Sequence, residues 1–233
     1  MIHPSKLPSI MKHKLLPLVL LALAASSGLV SAATTMVYSK TVGTEIPDNE
    51  ASGLVSQIVV SGTGQVTGIE LTLVTSGGWN GDLYAYLEYN GVISVLLNRA
   101  GMTSSNSAGA SSSGMNVTFG DAAPEDVHGG LSDVLDELAT GTFQPDGRDL
   151  DPGVVLDTSP RTLFLSGFNS QLAAGDWTLF IADLETGGTA TLDSWSLALS
   201  TELSAVPEPG AMMPLGALCA GGLLLRKRRR ETV

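Results

Sequence analysis

Acidic side chains at close spacing are the first chemistry the sequence offers. In Pro145-Asp146-Gly147-Arg148-Asp149-Leu150-Asp151-Pro152-Gly153, the carboxylates of Asp146, Asp149 and Asp151 fall within six positions among turn-forming Gly and Pro. Hard cations such as calcium draw several oxygen ligands from loops of this kind. Asp48, in Ile46-Pro47-Asp48-Asn49, and Asp82, in Asn80-Gly81-Asp82, are further calcium candidates. The EF-hand spacing and its closing Glu are missing, and a solvated acidic loop is the competing reading for each cluster.

Aromatic residues offer a second chemistry, stacking against sugar rings. Tyr84, Tyr86 and Tyr89 lie on or beside one predicted strand, and Trp79 sits in the turn Ser76-Gly77-Gly78-Trp79-Asn80-Gly81-Asp82. Packing is the commoner fate of aromatics on a sheet face, so Trp79, Tyr84 and Tyr86 are the contacts to test. Trp177 and Trp195 sit in apolar registers and are expected in the core.

Hydrolytic chemistry is poorly provided for. Beyond the N-terminal segment the one histidine is His128, in Pro124-Glu125-Asp126-Val127-His128-Gly129-Gly130, and a Ser-His-Asp triad needs a histidine as its base. No Gly-x-Ser-x-Gly elbow is present. His128 is expected to be a solvent-exposed loop residue. A glycosidase needs two acids a few ångströms apart, and Asp82, Glu88 and Asp176 qualify only through the abundance of acids. The expectation is a chain with no catalytic residues.

The charge distribution narrows the partners. Residues 33–205 carry Lys40, Arg99, Arg148 and Arg161 against 21 acids, a net charge of −17. Such a surface repels nucleic acid and anionic headgroups and attracts divalent cations. The single cysteine, Cys219, leaves this region without a disulfide, so its stability must come from a packed core.

The two ends read as addresses. Met11-Lys12-His13-Lys14, the apolar run Leu15–Ala25 and the small residues closing at Val30-Ser31-Ala32 form a secretory signal peptide, residues 1–32. Near the C-terminus, 210–225 contains no charge. As a helix it would span about 24 Å, a marginal membrane crossing that snorkelling by Arg226 and Lys227 would assist. The cluster Arg226, Lys227, Arg228, Arg229 and Arg230 would stop transfer, leaving 226–233 as a basic cytoplasmic tail.

With Pro207, Glu208 and Pro209 in the linker 201–209, this apolar span and terminal basic cluster resemble the PEP-CTERM sorting signal. The resemblance implies export, a transient membrane tether, processing by an exosortase, and delivery to the cell envelope or extracellular matrix.

Between the addresses, apolar residues recur with period two. Ile69, Leu71 and Leu73 share a face, as do Leu83, Ala85 and Leu87; Met115, Val117 and Phe119; Trp177, Leu179 and Ile181; and Trp195, Leu197 and Leu199. Val55–Val60, Val92–Leu97 and Thr162–Leu165 add strands, with Met36–Ser39 possible within a lead-in at 33–44. About eight short strands separated by Gly, Asn, Asp and Ser predict an all-β antiparallel sandwich or jelly roll. Leu131, Val134, Leu135 and Leu138 repeat as a helix does, which predicts one short amphipathic helix in an insertion, with Gly141 after it. Thr103–Gly114 is Ser-, Gly- and Asn-rich and reads as a mobile loop.

Three motifs in this region, Gly81-Asp82-Leu83, Gly175-Asp176-Trp177-Thr178-Leu179 and Leu192-Asp193-Ser194-Trp195-Ser196-Leu197, resemble the P domain, or Homo B module, of subtilisin-like proprotein convertases. The likeness spans 45–200; Asp176 and the Asp-rich insertion Asp121–Pro160 depart from it. It implies a β-jelly-roll that accompanies a protease without being one. Two roles follow as expectations. One is a structural or adhesive module binding matrix polysaccharide or a surface protein. The other is accessory service to a separate secreted serine endopeptidase, or a diverged hydrolase.

Overall fold

The computed structural model describes residues 33–203, so the signal peptide, the Pro207-Glu208-Pro209 motif, the 210–225 span and the basic tail lie outside the described residues. Among the described residues nine strands form two stacked sheets: β1 (Thr34–Glu45), β2 (Leu54–Val60), β3 (Gln65–Gly77), β4 (Leu83–Tyr89), β5 (Val92–Asn98), β6 (Met115–Phe119), β7 (Ala139–Phe143), β8 (Gly175–Asp183) and β9 (Ala190–Glu202). One sheet has the order β1-β9-β3-β6-β7 and the other β2-β8-β4-β5. The sandwich predicted from alternation is the fold.

The alternation decides which face each strand buries. Ile69, Leu71 and Leu73 of β3 point inward beside Trp195, Leu197 and Leu199 of β9, and meet Trp177, Leu179 and Ile181 of β8 and Leu83, Ala85 and Leu87 of β4. Both core indoles find acceptors, as a buried N–H must. Trp177 Nε1 donates to the Ala173 carbonyl at 3.0 Å, and Trp195 Nε1 to Ser56 Oγ at 2.9 Å, joining the two sheets. Asn90 and Gly91, both with positive φ, close the two-residue β4–β5 hairpin, as Asn-Gly does in tight turns.

The strand allowed at Met36–Ser39 lies within β1, a 12-residue edge strand that fills most of 33–44 and pairs with β9. Other expectations are corrected. Thr162–Leu165 is not a strand; it leads into a 3-10 turn at Leu165–Phe168. An additional strand, β7, pairs in parallel with β6, which the alternation reading missed because β7 buries only its ends, Ala139 and Phe143.

The helix predicted over Leu131–Leu138 does not form. Among the described residues the single α-helical turn, α1 (Val127–Gly130), lies just before it. Asp126 Oδ1 accepts from the Gly129 N–H at 2.9 Å and fixes the start. Asp136, at φ 59°, breaks the continuation, leaving Val134, Leu135 and Leu138 exposed. Thr103–Gly114 is a loop, as expected, but its C-terminal half is anchored: Ala110 and Ser112 are buried, and the Ala110 carbonyl accepts from the Gly81 N–H at 2.9 Å.

Candidate functional site

The outer face of the four-stranded sheet carries an aromatic groove. Tyr84 and Tyr86 alternate with inward Leu83, Ala85 and Leu87, so both rings emerge half-buried on the opposite face. Phe180 of β8 pairs with Tyr86 across the sheet, and their rings stack at 4.9 Å with an 18° interplanar angle. Tyr84 meets Tyr86 edge-on at 6.0 Å and Phe180 at 6.3 Å. The groove above them, about 540 Å³, is bordered by Arg99, Asp151 and Glu185. Burial, then Tyr86, Asp149 and Asp146, push the Tyr84 hydroxyl pKa up, so it stays a neutral donor at physiological pH. An apolar floor with hydrogen-bonding groups at the rim suits a ring that has an apolar face and hydroxyl edges.

Phe180 was not anticipated, although its place opposite Leu179 and Ile181 put it on the outer face. Two predicted aromatics lie elsewhere. Tyr89 is buried, stacked on Trp177 at 4.1 Å, with its hydroxyl 2.7 Å from the carbonyls of Leu172 and Ala174. Trp79 is 43% exposed but does not line the groove. A second groove, about 600 Å³, crosses the other sheet, lined mainly by Thr, Ser, Gly and Ala with Glu70 and Asp121, and offers no aromatic floor.

Beside the aromatic groove, acids collect where β8 ends. Asp183 is fully buried; Asp82, from the 3-10 turn Asn80–Asp82 before β4, is 4% exposed. Burial first, then the mutual charge of the pair for Asp82, raises the Asp82 pKa to about 6. Burial, Asp48 and Glu185 outweigh the Glu185 N–H and Arg99 to raise Asp183 to about 6 as well. Arg99 lies 3.8 Å from Asp82 and pairs with Glu185. Asp183, Glu185 and Arg99 were missed because acids and bases ending strands carry no periodic signal.

The Asp-rich loop behaves differently from the expectation. Asp146 is fully buried and forms ion pairs with His128 and Arg148, at 2.8 and 3.2 Å. Asp149 and Asp151 are exposed, and Asp151 Oδ1 caps its own turn by accepting from the Gly153 N–H at 2.8 Å. The three do not converge. Asp48 is also exposed. No group of three His, Cys, Asp or Glu side chains among the described residues stands ready to hold a metal.

His128 is buried, not a solvent-exposed loop residue. Nδ1 lies 2.8 Å from Asp146 Oδ2 and Nε2 2.8 Å from the Met102 carbonyl. Both partners are acceptors, so only the doubly protonated imidazolium satisfies both. Burial pushes its pKa down, but the bond and charge of Asp146 with the Met102 carbonyl outweigh burial, and the net shift is upward. Neither nitrogen is free to take a substrate proton in this geometry. Arg148 and Arg161 reach Asp126 at 3.3 and 3.4 Å, and with the Gly129 N–H they lower the Asp126 pKa against its burial.

Of the glycosidase candidates, Asp82 stands apart: Leu83 pairs with Asp183 while Glu88 pairs with Thr178, placing Asp82 about 20 Å along the sheet from Glu88 and farther still from Asp176. Glu88 and Asp176 are diagonal neighbours on adjacent strands, but Asp176 is exposed and neither residue lines either groove.

Fold and groove together define a two-sheet β-sandwich with an aromatic surface cleft. No known protein family matches the chain, and no curated protein does. Among solved structures, a chain of the Aeromonas sobria serine protease and chaperone complex is similar, at 15% identity with a TM-score of 0.44, and so is the serine protease of Aeromonas sobria, at 14% with 0.43. Each likeness covers 77% of this chain and 29% of the matched one, so the chain spans less than a third of those proteins' length.

Proposed function

We propose that the protein is an exported, non-catalytic P-domain-like module that binds a saccharide of the cell envelope or extracellular matrix through the Tyr84–Tyr86–Phe180 groove. The observation that carries this reading is a cluster of three half-exposed rings flanked by Arg99, Asp151 and Glu185. The resemblance of 45–200 to the P domain supports a module without its own chemistry, and the engagement of both His128 nitrogens agrees with that. The resemblance of the tail to a PEP-CTERM signal supports export machinery and an exosortase as processing partners, with a transient tether at 210–225. Among the described residues no helix is long and apolar enough to cross a membrane, and 210–225 lies outside them.

Affinity electrophoresis in gels containing the producing cell's exopolysaccharide tests the groove. Loss of one stacked aromatic removes roughly 0.5–1.5 kcal/mol, so Tyr86→Ala is expected to weaken retardation about 2- to 12-fold. Equal retardation of wild type and the Tyr84→Ala/Tyr86→Ala variant refutes the reading. The second reading, service to a separate secreted serine endopeptidase, draws on edge strand β2, which turns Val55 and Val59 to solvent at 58% and 71% exposure. A protein partner lost on Val59→Asp, with glycan binding absent throughout, would favour it.

A further inference from the structure

We propose that the aromatic groove takes the terminal residue of a neutral glycan chain, not residues within the chain, a specificity that rests on the saccharide reading of the groove. One end of the groove is closed by the Arg99–Glu185 ion pair.

The closure follows from strand order. β4 lies between β8 and β5; Glu185 stands two residues past the end of β8, and Arg99 one residue past the end of β5. Their ion pair therefore spans β4 where that strand begins, beyond Tyr84. The Arg99 N–H donates to the Leu83 carbonyl at 3.0 Å and its Nε to the Gly81 carbonyl at 3.0 Å, so the guanidinium is fixed to the chain it crosses. Arg99 adopts φ 49°, a left-handed conformation uncommon outside glycine, and such outliers collect at ligand sites.

Burial along the outer face records the same closed end. On β8, Asp176 is exposed, Thr178 and Phe180 are half-buried, and Ala182 is fully buried although it points the same way. The groove is thus deepest beside the ion pair and opens toward Thr178 and Glu88, which lie outside it. Its sides are held as well. The Glu50 N–H donates to the Asp183 carbonyl at 2.9 Å, tying down the turn of Ala51, and Asn98 Nδ2 donates to the Leu150 carbonyl at 3.0 Å, tying down the loop of Asp151. Walls that are already ordered lower the entropic cost of binding.

The floor matches one sugar ring. The centroids of Tyr84, Tyr86 and Phe180 lie 4.9–6.3 Å from one another, a triangle and not a row along which successive residues could stack. An internal residue placed on that triangle would drive its neighbour into the ion pair. A terminal residue presents a hydroxyl there instead, which can accept from the guanidinium and donate to the half-exposed Glu185 carboxylate. With Arg99 already paired and Asp151 at the rim, an anionic residue finds no free cation, which favours a neutral one.

The test compares chain lengths of the producing cell's exopolysaccharide on the wild-type full chain, so it does not depend on a variant folding. Cut to about a tenth of its mean length by partial acid hydrolysis, the polymer gains ends in proportion, and its potency per mass as a soluble competitor of gel retardation is expected to rise about tenfold. Equal potency per mass at both lengths, with retardation still lost in Tyr84→Ala/Tyr86→Ala, overturns terminal recognition and leaves the groove reading standing. Retardation that survives in that double variant overturns both. Glu185→Ala, which removes a half-exposed acceptor from the closed end, is expected to weaken retardation about 2- to 12-fold. Retardation equal to wild type in Glu185→Ala overturns the assignment of the ion pair as the end of the site.

Discussion

Because His128 faces two acceptors, its protonation should be written into the stability of the whole sandwich. Its folded pKa is raised above the ordinary 6.5, so the native state holds this proton more tightly than the unfolded chain. The stabilisation is therefore complete below about pH 6.5 and disappears as pH climbs through the folded value. Each unit of upward shift contributes about 1.4 kcal/mol. Deprotonation also sets a lone pair on one nitrogen against an acceptor, either Asp146 Oδ2 or the Met102 carbonyl. Removing the ring breaks a buried pair and exposes Asp146 to burial with only Arg148 beside it, at a cost of about 3–5 kcal/mol for His128→Ala. Urea denaturation at pH 6, 7, 8 and 9 should show wild-type stability falling across this range at constant m-value. His128→Phe should flatten that fall, and the imidazole resonances of wild type should titrate above pH 6.5 by NMR. An imidazole titrating at or below 6.5, or wild-type and His128→Phe curves falling in parallel, would refute the assignment of an internal imidazolium.

The carboxylate pair gives a distinct window. With Asp82 and Asp183 raised to about 6, their contribution is full below the unfolded value near 3.8 and lost as pH rises through 6. Asp183→Asn should therefore gain up to about 3 kcal/mol on wild type between pH 4 and 7, measured by paired urea melts. A Cβ on Gly81 would stand 2.5 Å from the Ala110 nitrogen and 2.7 Å from the Ala108 oxygen, both backbone atoms. Gly81→Ala should cost roughly 1–3 kcal/mol and lower the Tm in calorimetry. Trp195→Phe removes the donor to Ser56 and the larger ring, and a loss of about 1–3 kcal/mol is expected in the same assay.

The sequence displayed the sandwich because burial in a half-solvated sheet leaves a period-two trace. Ile69-Glu70-Leu71-Thr72-Leu73 and Leu83-Tyr84-Ala85-Tyr86-Leu87 could hardly be read otherwise. The trace fails where strands do not bury one whole face. β1 lies on an edge with nearly every residue exposed, and β7 is buried only at Ala139 and Phe143. The apolar spacing of Leu131, Val134, Leu135 and Leu138 imitates a helix, but spacing alone does not bury a stripe, and Gly129-Gly130 and the left-handed Asp136 interrupt the backbone. Two of the three rings of the aromatic groove, Tyr84 and Tyr86, were legible from strand parity. Phe180 required knowledge that β8 lies beside β4, a long-range pairing that local pattern does not encode.

The fate of the bases constrains what the groove can hold. Residues 33–203 contain four, and all three guanidiniums are turned to internal work: Arg99 on Glu185 and two carbonyls, Arg148 on Asp126 and Asp146, Arg161 on Asp126 and the Pro145 carbonyl. Lys40 is bonded to the Gln57 carbonyl of edge strand β2 at 3.0 Å and does not line the groove. A polyanionic glycan would thus meet Asp149, Asp151 and Glu185 around the rings with no cation free to receive it, and repulsion would oppose docking. A neutral glycan avoids that cost, since the rings and carboxylates then face apolar ring surfaces and hydroxyls. An acidic one could bind only with a divalent ion shared between its carboxylates and those of the protein. Salt dependence separates the cases: retardation by a neutral polymer should hold as ionic strength rises, whereas bridged binding should vanish with chelator.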